Sequence, residues 1–280
     1  MTAALPRVNV VGLGKLGAPL AAVLASRGFT VIGLDVNKTF VDALNAGKMP
    51  IIEPQLNELI AANRERLSAT MDADEAVAKS DASFVIVPTP SNKETGFFSN
   101  SYVLKAMETL GQALRKKKGY HLVVITSTVM PGSTEGEIKA ALEAASGRKV
   151  GPDLGLCYNP EFIALGSVVN DMLRPDMILI GESDERSGKT LEDLYTTTCE
   201  SNPRINRMNY VNAELTKLSV NTFVTTKISY ANMLAEVCET LPTADVDVVT
   251  QAIGCDTRIG KKYLRGAMGY GGPCFPRDNV

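Results

Sequence analysis

The sequence predicts an α/β protein in which a mainly parallel, helix-covered sheet is followed by a long helix. Short apolar runs rich in β-branched residues alternate with amphipathic stretches through the first half of the chain. A glycine-rich turn, Gly12 to Gly17, follows the first of these runs. From Val211 to about Leu241 no Gly or Pro occurs, and apolar residues recur at helical spacing.

Each element follows from its own segment of this pattern. The predicted strands are Arg7–Gly12, Thr30–Asp35, Phe84–Pro88, Leu122–Thr126, Leu154–Tyr158 and Met177–Gly181. The predicted helices are Lys15–Arg27, Thr39–Asn45, Tyr102–Leu114, Thr134–Ala145, the long Val211–Leu241 and a short one that ends at Ile253. Gly181–Gly188, rich in Gly, Ser, Asp and Glu, is predicted to be a surface loop. We expect a sheet domain over residues 1–205 and a helical central domain over residues 206–280.

Composition limits the classes of partner. With 280 residues and 45% hydrophobic side chains, the chain can bury a sizeable core. A net charge of -2 does not indicate a basic surface for nucleic acid or an anionic membrane. Any phosphate must therefore be bound by local groups of the protein. Neither a secretory leader nor a membrane-spanning run is recognisable, which favours a cytoplasmic protein without a nucleic-acid or membrane partner.

The five cysteines are far apart and form no CxxC pair, so neither a metal site nor a disulfide framework is predicted. Most of them are expected to be reduced and buried. The sole histidine, His121, is expected at a strand edge rather than as a catalytic base. Lys116, Lys117 and Lys118 are expected to be a solvated helix end.

Gly12, Gly14 and Gly17 stand between a predicted strand and a predicted helix, with Lys15 and Leu16 inside the turn. The glycines permit a tight turn and close backbone approach, and the helix N-terminus attracts a pyrophosphate. Asp35 ends the second strand and would accept a hydrogen bond from a ribose hydroxyl. Its carboxylate would repel a 2'-phosphate, so NAD is predicted rather than NADP, although Lys38 is near.

Two later strands end in polar or turn residues, where open α/β sheets bind ligands. These residues are expected to contribute to the cofactor site, with a simple turn as the alternative. They are Pro88, Thr89, Ser127 and Thr128.

A second group of residues suggests carbonyl chemistry. Lys217 and Asn221 are four apart on the long helix and share a face, so both could donate to an oxygen that gains negative charge, although a solvated pair is the alternative. Cys274 lies in a Gly-rich loop with an acid, Asp278, four residues on. Attack of its thiolate on an aldehyde gives a thiohemiacetal, whose oxidation yields a thioester that water can cleave.

With these residues in place, the chain resembles the UDP-glucose/GDP-mannose dehydrogenase family along essentially its whole length. Several of the matching stretches are loose individually, but their order is highly specific. They are Val10–Gly17, Val87–Pro90, Ser127–Gly132, Asn159–Phe162, Ala213–Phe223, Asp256–Gly260 and Gly269–Asp278.

The resemblance implies a Rossmann-like, doubly wound NAD domain, a long central helix that forms a homodimer, and a C-terminal nucleotide-binding domain. The chain stops at Val280, just past the Gly-rich loop, so that last domain is expected to be absent here. The implied reaction is the four-electron oxidation of a nucleotide sugar's C6 alcohol to the uronate with two NAD, in polysaccharide biosynthesis. Without the missing domain, we expect NAD to bind and sugar oxidation to be absent or very weak.

The resemblance also implies a role for each matching position. Cys274 would be the covalent nucleophile, Lys217 and Asn221 would stabilise the oxyanion, and Glu161 would assist thioester hydrolysis. Asp278 and Thr128 would position a water for proton transfer. Substrate contacts are implied for the residues Glu161, Phe162, Lys217, Asn221, Arg258, Tyr263 and Gly271.

Two positions depart from the family pattern. Leu165 stands where relatives often have a second Glu, so carboxylate contacts expected there cannot be made. Arg265 replaces a residue that is usually small or Pro. Both bear on the choice of sugar.

UDP-glucose is the first candidate substrate, with a UDP-N-acetylhexosamine or GDP-mannose as alternatives that fit the same chemistry. A two-electron β-hydroxyacid dehydrogenase also combines such a sheet domain with a Lys-x-x-x-Asn pair and needs no thiol. A third hypothesis is a module that binds NAD but does not catalyse a reaction.

Overall fold

The computed structural model describes residues 5–92, 96–266, 268–271 and 274–279. The chain divides into two compact units, the first formed by Met1–Pro90 with Phe98–Glu214 and the second by Ser91–Phe97 with Leu215–Val280. Residues 206–214 therefore belong with the first unit.

The first unit is built around one eight-stranded sheet. Its strands are β1 (Val8–Val11), β2 (Val31–Leu34), β3 (Leu67–Thr70), β4 (Ala82–Val85), β5 (His121–Ile125), β6 (Leu154–Tyr158), β7 (Met177–Glu182) and β8 (Arg204–Met208). Their order in the sheet is β3-β2-β1-β4-β5-β6-β7-β8, and every neighbouring pair is parallel except β6 and β7. The predicted fold class is confirmed.

Helices cover both faces of this sheet. They are α1 (Gly17–Ser26), α2 (Lys38–Ala46), α3 (Leu56–Ala62), α4 (Ala73–Ala78), α5 (Ser101–Lys116), α6 (Lys139–Ser146), α7 (Val168–Leu173), α8 (Glu185–Thr198) and the start of α9 (Tyr210–Glu239). A π-helical turn over Thr134–Ile138 leads into α6. Successive strand residues point to opposite faces, so the apolar runs feed two separate cores, with Val124 in one and Val123 in the other.

The chain reverses direction across the sheet between β1 and β4, which are neighbours although β2 and β3 intervene in sequence. In an open α/β sheet this switch point leaves a crevice at the carboxyl ends of the strands. The turn after β1 and the segment after β4 both lie at that edge.

Sequence patterns missed two strands, β3 and β8, and misread one segment. The prediction that Gly181–Gly188 is a surface loop is wrong, because β7 extends to Glu182 and α8 begins at Glu185. Asp184 and Ser187 form a reciprocal capping box at the start of α8. Gly188 is buried, and a Cβ on it would lie 1.5 Å from a carboxylate oxygen of Glu182, so this glycine serves close packing.

The sole histidine is more deeply placed than expected. His121 opens β5 but is fully buried, with Nε2 2.8 Å from the Ser83 hydroxyl and Nδ1 3.0 Å from the Lys117 ammonium. Lys117 also donates to the backbone carbonyls of Val77 and Ser80. The expectation of a solvated helix end is therefore wrong for Lys117, although Lys116 and Lys118 are exposed.

The second unit is helical. It contains most of α9, together with α10 (Val246–Ile253) and the four-residue α11 (Phe275–Asp278). The 30 residues of α9 correspond to roughly 45 Å at 1.5 Å per residue. Asp245 caps α10 by accepting from the backbone N–H groups of Asp247 and Val248.

No helix in the described part of the chain is both long and apolar enough to cross a membrane. Within the same residues, no cluster of three or more His, Cys, Asp or Glu side chains could hold a metal ion.

Candidate active site

The turn between β1 and α1 requires glycine at two of its positions. Gly12 has φ +95°, in the left-handed region, and a Cβ there would lie 2.3 Å from the carbonyl oxygen of Ile86. A Cβ on Gly17 would lie 1.7 Å from the carbonyl oxygen of Gly12. These two glycines therefore let β1, α1 and the segment after β4 approach closely.

Gly14 differs from both, because a Cβ built on it meets nothing within 4 Å. Its backbone borders open space at the start of α1, where no side chain caps the helix and the first turn carries no acid. The N–H groups and positive dipole of that turn therefore suit a phosphate that approaches the backbone at Gly14. The side chain of Lys15 is exposed beside it, and Leu16 occupies the N-cap position. The turn fits the pyrophosphate of a dinucleotide.

Asp35 joins the ends of the first two strands. Its Oδ2 accepts from the backbone N–H of Leu13 at 2.6 Å, and its Oδ1 accepts from the N–H of Asn37 at 2.7 Å. The carboxylate thus holds the glycine turn and the turn into α2 together, half-buried at the edge of the sheet. Lys38, the other charged residue predicted near the cofactor, pairs with Asp42 at 2.6 Å.

Side chains tie the ends of β4 and β5 to each other. The Ser127 hydroxyl accepts from the Val87 N–H at 2.9 Å and donates to the Val87 carbonyl at 2.7 Å. Thr89 donates to the carbonyl of Thr128 at 2.8 Å, whereas Pro88 is exposed between them. Ser127 and Thr89 therefore shape the rim of the crevice through backbone contacts.

The segment that follows Thr128 is anchored by a buried carboxylate. Glu214, on the first turn of α9, has no exposed surface and accepts from the backbone N–H groups of Gly132 at 2.6 Å and Thr134 at 2.8 Å. Charge-assisted bonds of this kind are the stronger class of hydrogen bond, so this contact fixes the loop that carries Thr128.

Glu161 lies just beyond β6, where the polypeptide is held from several sides. Asn159 is buried, and its Nδ2 donates to the Leu179 carbonyl at 2.8 Å. The Tyr195 hydroxyl, from α8, lies 2.5 Å from Asn159 Oδ1 and 3.5 Å from Glu161 Oε1. Phe162 packs against the core on one face of the sheet.

The far end of the same loop is held by Glu53. Its carboxylate oxygens accept from the N–H groups of Gly166 at 3.2 Å and Val169 at 3.4 Å. Between these anchors, Leu165 is 57% exposed. No carboxylate stands at that position, in keeping with the sequence.

In the second unit, Lys217 and Asn221 lie on α9, as predicted. Lys217 is only 7% exposed, so the alternative of a solvated pair does not apply to it. Asn221 Nδ2 donates to Asp278 Oδ2 at 2.5 Å, and Arg277 Nε donates to the other oxygen of Asp278 at 2.8 Å. Asp278 is 8% exposed. The acid after the Gly-rich loop is thus fixed against the helix.

Cys274 occupies the N-cap position of α11, one turn before Asp278, and its carbonyl accepts the Asp278 N–H at 2.9 Å. The thiol is exposed. The expectation that most cysteines are buried is wrong, since only Cys157 and Cys199 are. The loop positions Gly272 and Pro273 lie outside the described residues.

The predicted substrate-contacting residues of this unit lie on its surface. Arg258 is exposed and pairs with Asp256, whose hydrogen bond raises the pKa of the guanidinium. Tyr263 has φ +64°, an uncommon conformation for an aromatic residue, and is also exposed. A Cβ built on Gly271 would meet no atom within 4 Å. Lys227, on α9, donates to the carbonyls of Ile259 and Gly260 and so fixes the turn next to Arg258.

Sequence reasoning missed the residues that hold these groups in place. Asn159 and Glu214 fall inside stretches that were recognised, but their contacts depend on residues far along the chain. Tyr195 lies in α8, which no sequence pattern predicted, and Glu53 lies in an irregular segment. None of these four residues carries a local sequence signal for its role.

Two family models match the chain. The NAD-binding domain of the UDP-glucose/GDP-mannose dehydrogenase family matches residues 6–199, and the central domain of that family matches residues 211–280.

Individual relatives agree with these matches. The chain is 38% identical over 276 residues to a UDP-glucose 6-dehydrogenase of Haloferax volcanii, covering 98% of this chain and 64% of the relative. It is 36% identical to a GDP-mannose 6-dehydrogenase of Pseudomonas aeruginosa, covering 97% and 62%. A solved UDP-glucose dehydrogenase of Pyrobaculum islandicum superposes with a TM-score of 0.91 at 38% identity, covering 99% and 63%. The chain therefore spans less than two thirds of the length of these relatives.

Proposed function

Because the chain belongs to the UDP-glucose/GDP-mannose dehydrogenase family, we propose that it carries the cofactor site and catalytic thiol of an enzyme that oxidises a nucleotide sugar. The oxidised group is the C6 primary alcohol, and the product is the uronate. Residues 6–199 are the NAD-binding domain of the family, and NAD is the cofactor. Gly12, Gly14, Gly17 and Asp35 would hold it, and its contribution when bound is to accept a hydride in each of two oxidations.

One observation supports the proposal above others. Asn221, on α9, and Asp278, four residues after Cys274, are joined by a 2.5 Å hydrogen bond. This contact brings the Gly-rich loop and the predicted oxyanion-stabilising face of α9 together within one unit. A nucleophile, a half-buried amide and a buried carboxylate in one unit suit covalent catalysis at a carbonyl carbon.

The chain's own residues would act at the aldehyde stage as follows. The thiolate of Cys274 adds to the aldehyde carbon, a C–S bond forms, and the carbonyl electron pair moves onto oxygen. Lys217 and Asn221 donate hydrogen bonds to that oxygen. Asp278 and Thr128 position a water for proton transfer. After the second oxidation, the sugar is held as a thioester on the sulfur of Cys274.

Hydrolysis completes the reaction. A water attacks the thioester carbon, Glu161 takes a proton from that water, and the C–S bond breaks with its electron pair returning to Cys274. The balance is one alcohol, one water and two NAD+ giving one carboxylate, two NADH and three protons.

UDP-glucose is the proposed substrate, supported by the resemblance of Asn159–Phe162 and Gly269–Asp278 to that branch of the family. A UDP-N-acetylhexosamine and GDP-mannose remain the competing sugars, because Leu165 removes a carboxylate that relatives often have. Measuring NADH production by the full-length gene product with a panel of these nucleotide sugars distinguishes them. Equal or greater turnover with another sugar would contradict the assignment.

The thiol chemistry is tested by Cys274→Ser. We expect acid formation to fall by at least about 10³-fold, because the thioester cannot form. Cys255→Ser is the matched control, since Cys255 is also an exposed cysteine of the second unit and has no proposed role. Unchanged turnover in Cys274→Ser would favour a two-electron β-hydroxyacid dehydrogenase instead.

We also propose a homodimer formed through α9. Large apolar side chains along this helix are exposed in the single chain, Phe223 being 66% exposed. Such a surface on one long helix is typical of a subunit interface. The cytoplasm is the proposed location, because thiols are kept reduced there.

A further inference from the structure

The turn that follows α10 is built around Asp256. The carbonyl oxygen of Asp256 accepts from the backbone N–H groups of Ile259 at 3.0 Å and Gly260 at 2.9 Å. Its carboxylate accepts from the backbone N–H of Arg258 at 2.9 Å, and from Nε and Nη2 of the same residue at 3.0 Å and 2.6 Å. One residue therefore fixes both the shape of the turn and the side chain of Arg258.

The guanidinium of Arg258 keeps one edge available. Its Nε and Nη2 donate to Asp256, whereas Nη1 has no partner within the part of the chain that the structure describes. The side chain is 86% exposed. A guanidinium has five N–H donors in a fixed plane that matches the oxygens of a phosphate. Arg258 can therefore bind the diphosphate of a nucleotide sugar without leaving Asp256.

Lys227 holds this turn against α9. Its Nζ donates to the backbone carbonyls of Ile259 at 3.1 Å and Gly260 at 3.2 Å. Over the described ranges no carboxylate pairs with Lys227, so these two carbonyls receive its charge. Hydrogen bonds from a charged donor are the stronger class, and two of them on consecutive residues resist displacement of the turn. The turn is thus tied to the helix that carries the proposed oxyanion-stabilising residues.

Resting on the proposed function, we propose that Lys227 is a positioning residue for nucleotide-sugar binding and that it acts through Arg258. Its two hydrogen bonds keep the turn against α9, so that Arg258 loses less conformational freedom when it binds the diphosphate. Lys227 itself contacts neither the reacting carbon nor NAD. Its loss should therefore weaken binding of the sugar rather than slow the chemical steps.

The test is Lys227→Met in the full-length gene product, assayed for NADH production with UDP-glucose and NAD+. Methionine keeps an unbranched side chain but removes the ammonium group. The apparent KM for UDP-glucose should rise roughly tenfold, the effect of losing about one charge-assisted hydrogen bond to the substrate. The kcat and the KM for NAD+ should change by less than about twofold, because the lost binding is common to substrate and transition state. A merely structural loss would lower kcat as well.

A double-mutant cycle shows whether Lys227 acts through Arg258. Arg258→Ala alone should raise the KM for UDP-glucose at least as much as Lys227→Met does. Adding Lys227→Met to Arg258→Ala should raise it no further, because no guanidinium is left to position. A lysine that binds the phosphates directly would give effects that multiply in the double variant. Multiplied effects, or an unchanged KM in either single variant, would overturn the inference.

The matched control is Lys261→Met, because Lys261 is an exposed lysine directly after the same turn. This variant loses the same charge but keeps both hydrogen bonds from Lys227. Its KM for UDP-glucose should stay within about twofold of the wild-type value, since an exposed charge is well screened by solvent and salt. A rise equal to that of Lys227→Met would show that positive charge near the turn sets the KM, which would also overturn the inference.

A second variant keeps the inference falsifiable if Lys227→Met fails to fold, as judged by circular dichroism and melting temperature. Lys227→Gln then takes its place in the same cycle, because glutamine retains one donor for the turn but no charge, and its KM should also rise. Wild-type turnover with none of these changes in KM would overturn this inference alone. Absence of turnover by the wild type, with every nucleotide sugar tried, would overturn the proposed function and this inference with it.

Discussion

At the residue scale, the fold depends on polar side chains that are buried among apolar neighbours. Glu214, Asn159 and His121 are all buried, and each has partners far away in the sequence. Burying such groups is costly unless their hydrogen bonds are made, so these contacts select one arrangement of the surrounding loops. The positions of Thr128 and Glu161 follow from these contacts.

His121 makes stability depend on pH. Burial, and next the charge of Lys117, lower its pKa from 6.5 to about 3. The unfolded chain therefore binds a proton near pH 6.5 that the folded protein does not bind until about pH 3. The corresponding stability is fully present above pH 6.5 and is lost as the pH falls below it.

Between pH 7.5 and pH 5, this single group should remove about 2 kcal/mol from the free energy of unfolding. Urea unfolding of the wild type and of His121→Gln at both pH values measures it, since glutamine does not titrate. Over this interval, the free energy of unfolding of the variant should fall by about 2 kcal/mol less than that of the wild type. An equal loss in both proteins would contradict the burial of a neutral imidazole.

Among the secondary-structure elements, the segment formed by β1, its turn and α1 shows that the three glycines of one motif have different roles. Gly12 and Gly17 are required by backbone contacts inside the protein, whereas Gly14 borders space that a ligand can fill. The sequence motif alone does not show which of the three glycines serves packing and which serves ligand binding. Only the folded turn separates packing from binding.

The pair Gly14→Ala and Gly17→Ala tests this separation. Gly14→Ala should leave the melting temperature nearly unchanged but weaken NAD+ binding at least about tenfold, because its methyl group occupies the approach of the pyrophosphate. Gly17→Ala should lower the melting temperature clearly, because its Cβ collides with the carbonyl of Gly12. Thermal unfolding and calorimetric NAD+ titration measure both effects. Equal destabilisation by the two substitutions would refute the distinction.

At the scale of the whole molecule, residues with proposed catalytic roles belong to both compact units. Glu161 and Thr128 are in the first, and Cys274, Lys217, Asn221 and Asp278 are in the second. Helix α9 begins in the first unit, which contains Glu214, and continues into the second, which contains Lys217 and Asn221. The exposed apolar side chains of the same helix are the basis of the proposed dimer.

The dimer predicts a mass in solution of twice 30.0 kDa. Phe223→Glu should convert it to a monomer, because a carboxylate buried in an apolar interface is strongly disfavoured. Val248→Glu is the control, since Val248 is also an exposed apolar residue of the second unit but lies on α10. Light scattering after size exclusion measures both. A monomeric wild type, or a Phe223→Glu variant that stays dimeric, would contradict the proposal.

The amino-acid sequence was enough to predict the fold class, the glycine turn with Asp35, the long helix and the family. These features depend on local periodicity and short motifs, which are written in consecutive residues. It did not predict β3, β8 or α8, whose segments are short or polar and become strand or helix only by pairing and packing with distant parts of the chain.

Which side chains are anchored, and by which partners, follows only from the folded protein. Gly188 is a packing residue because Glu182 lies against it, and Lys117 is half-buried because two carbonyls and His121 receive its ammonium group. Tyr195 reaches Glu161 across 34 residues of chain. Contacts between residues so far apart leave no periodic trace in the sequence, because their energy depends on geometry that exists only once the sheet has formed.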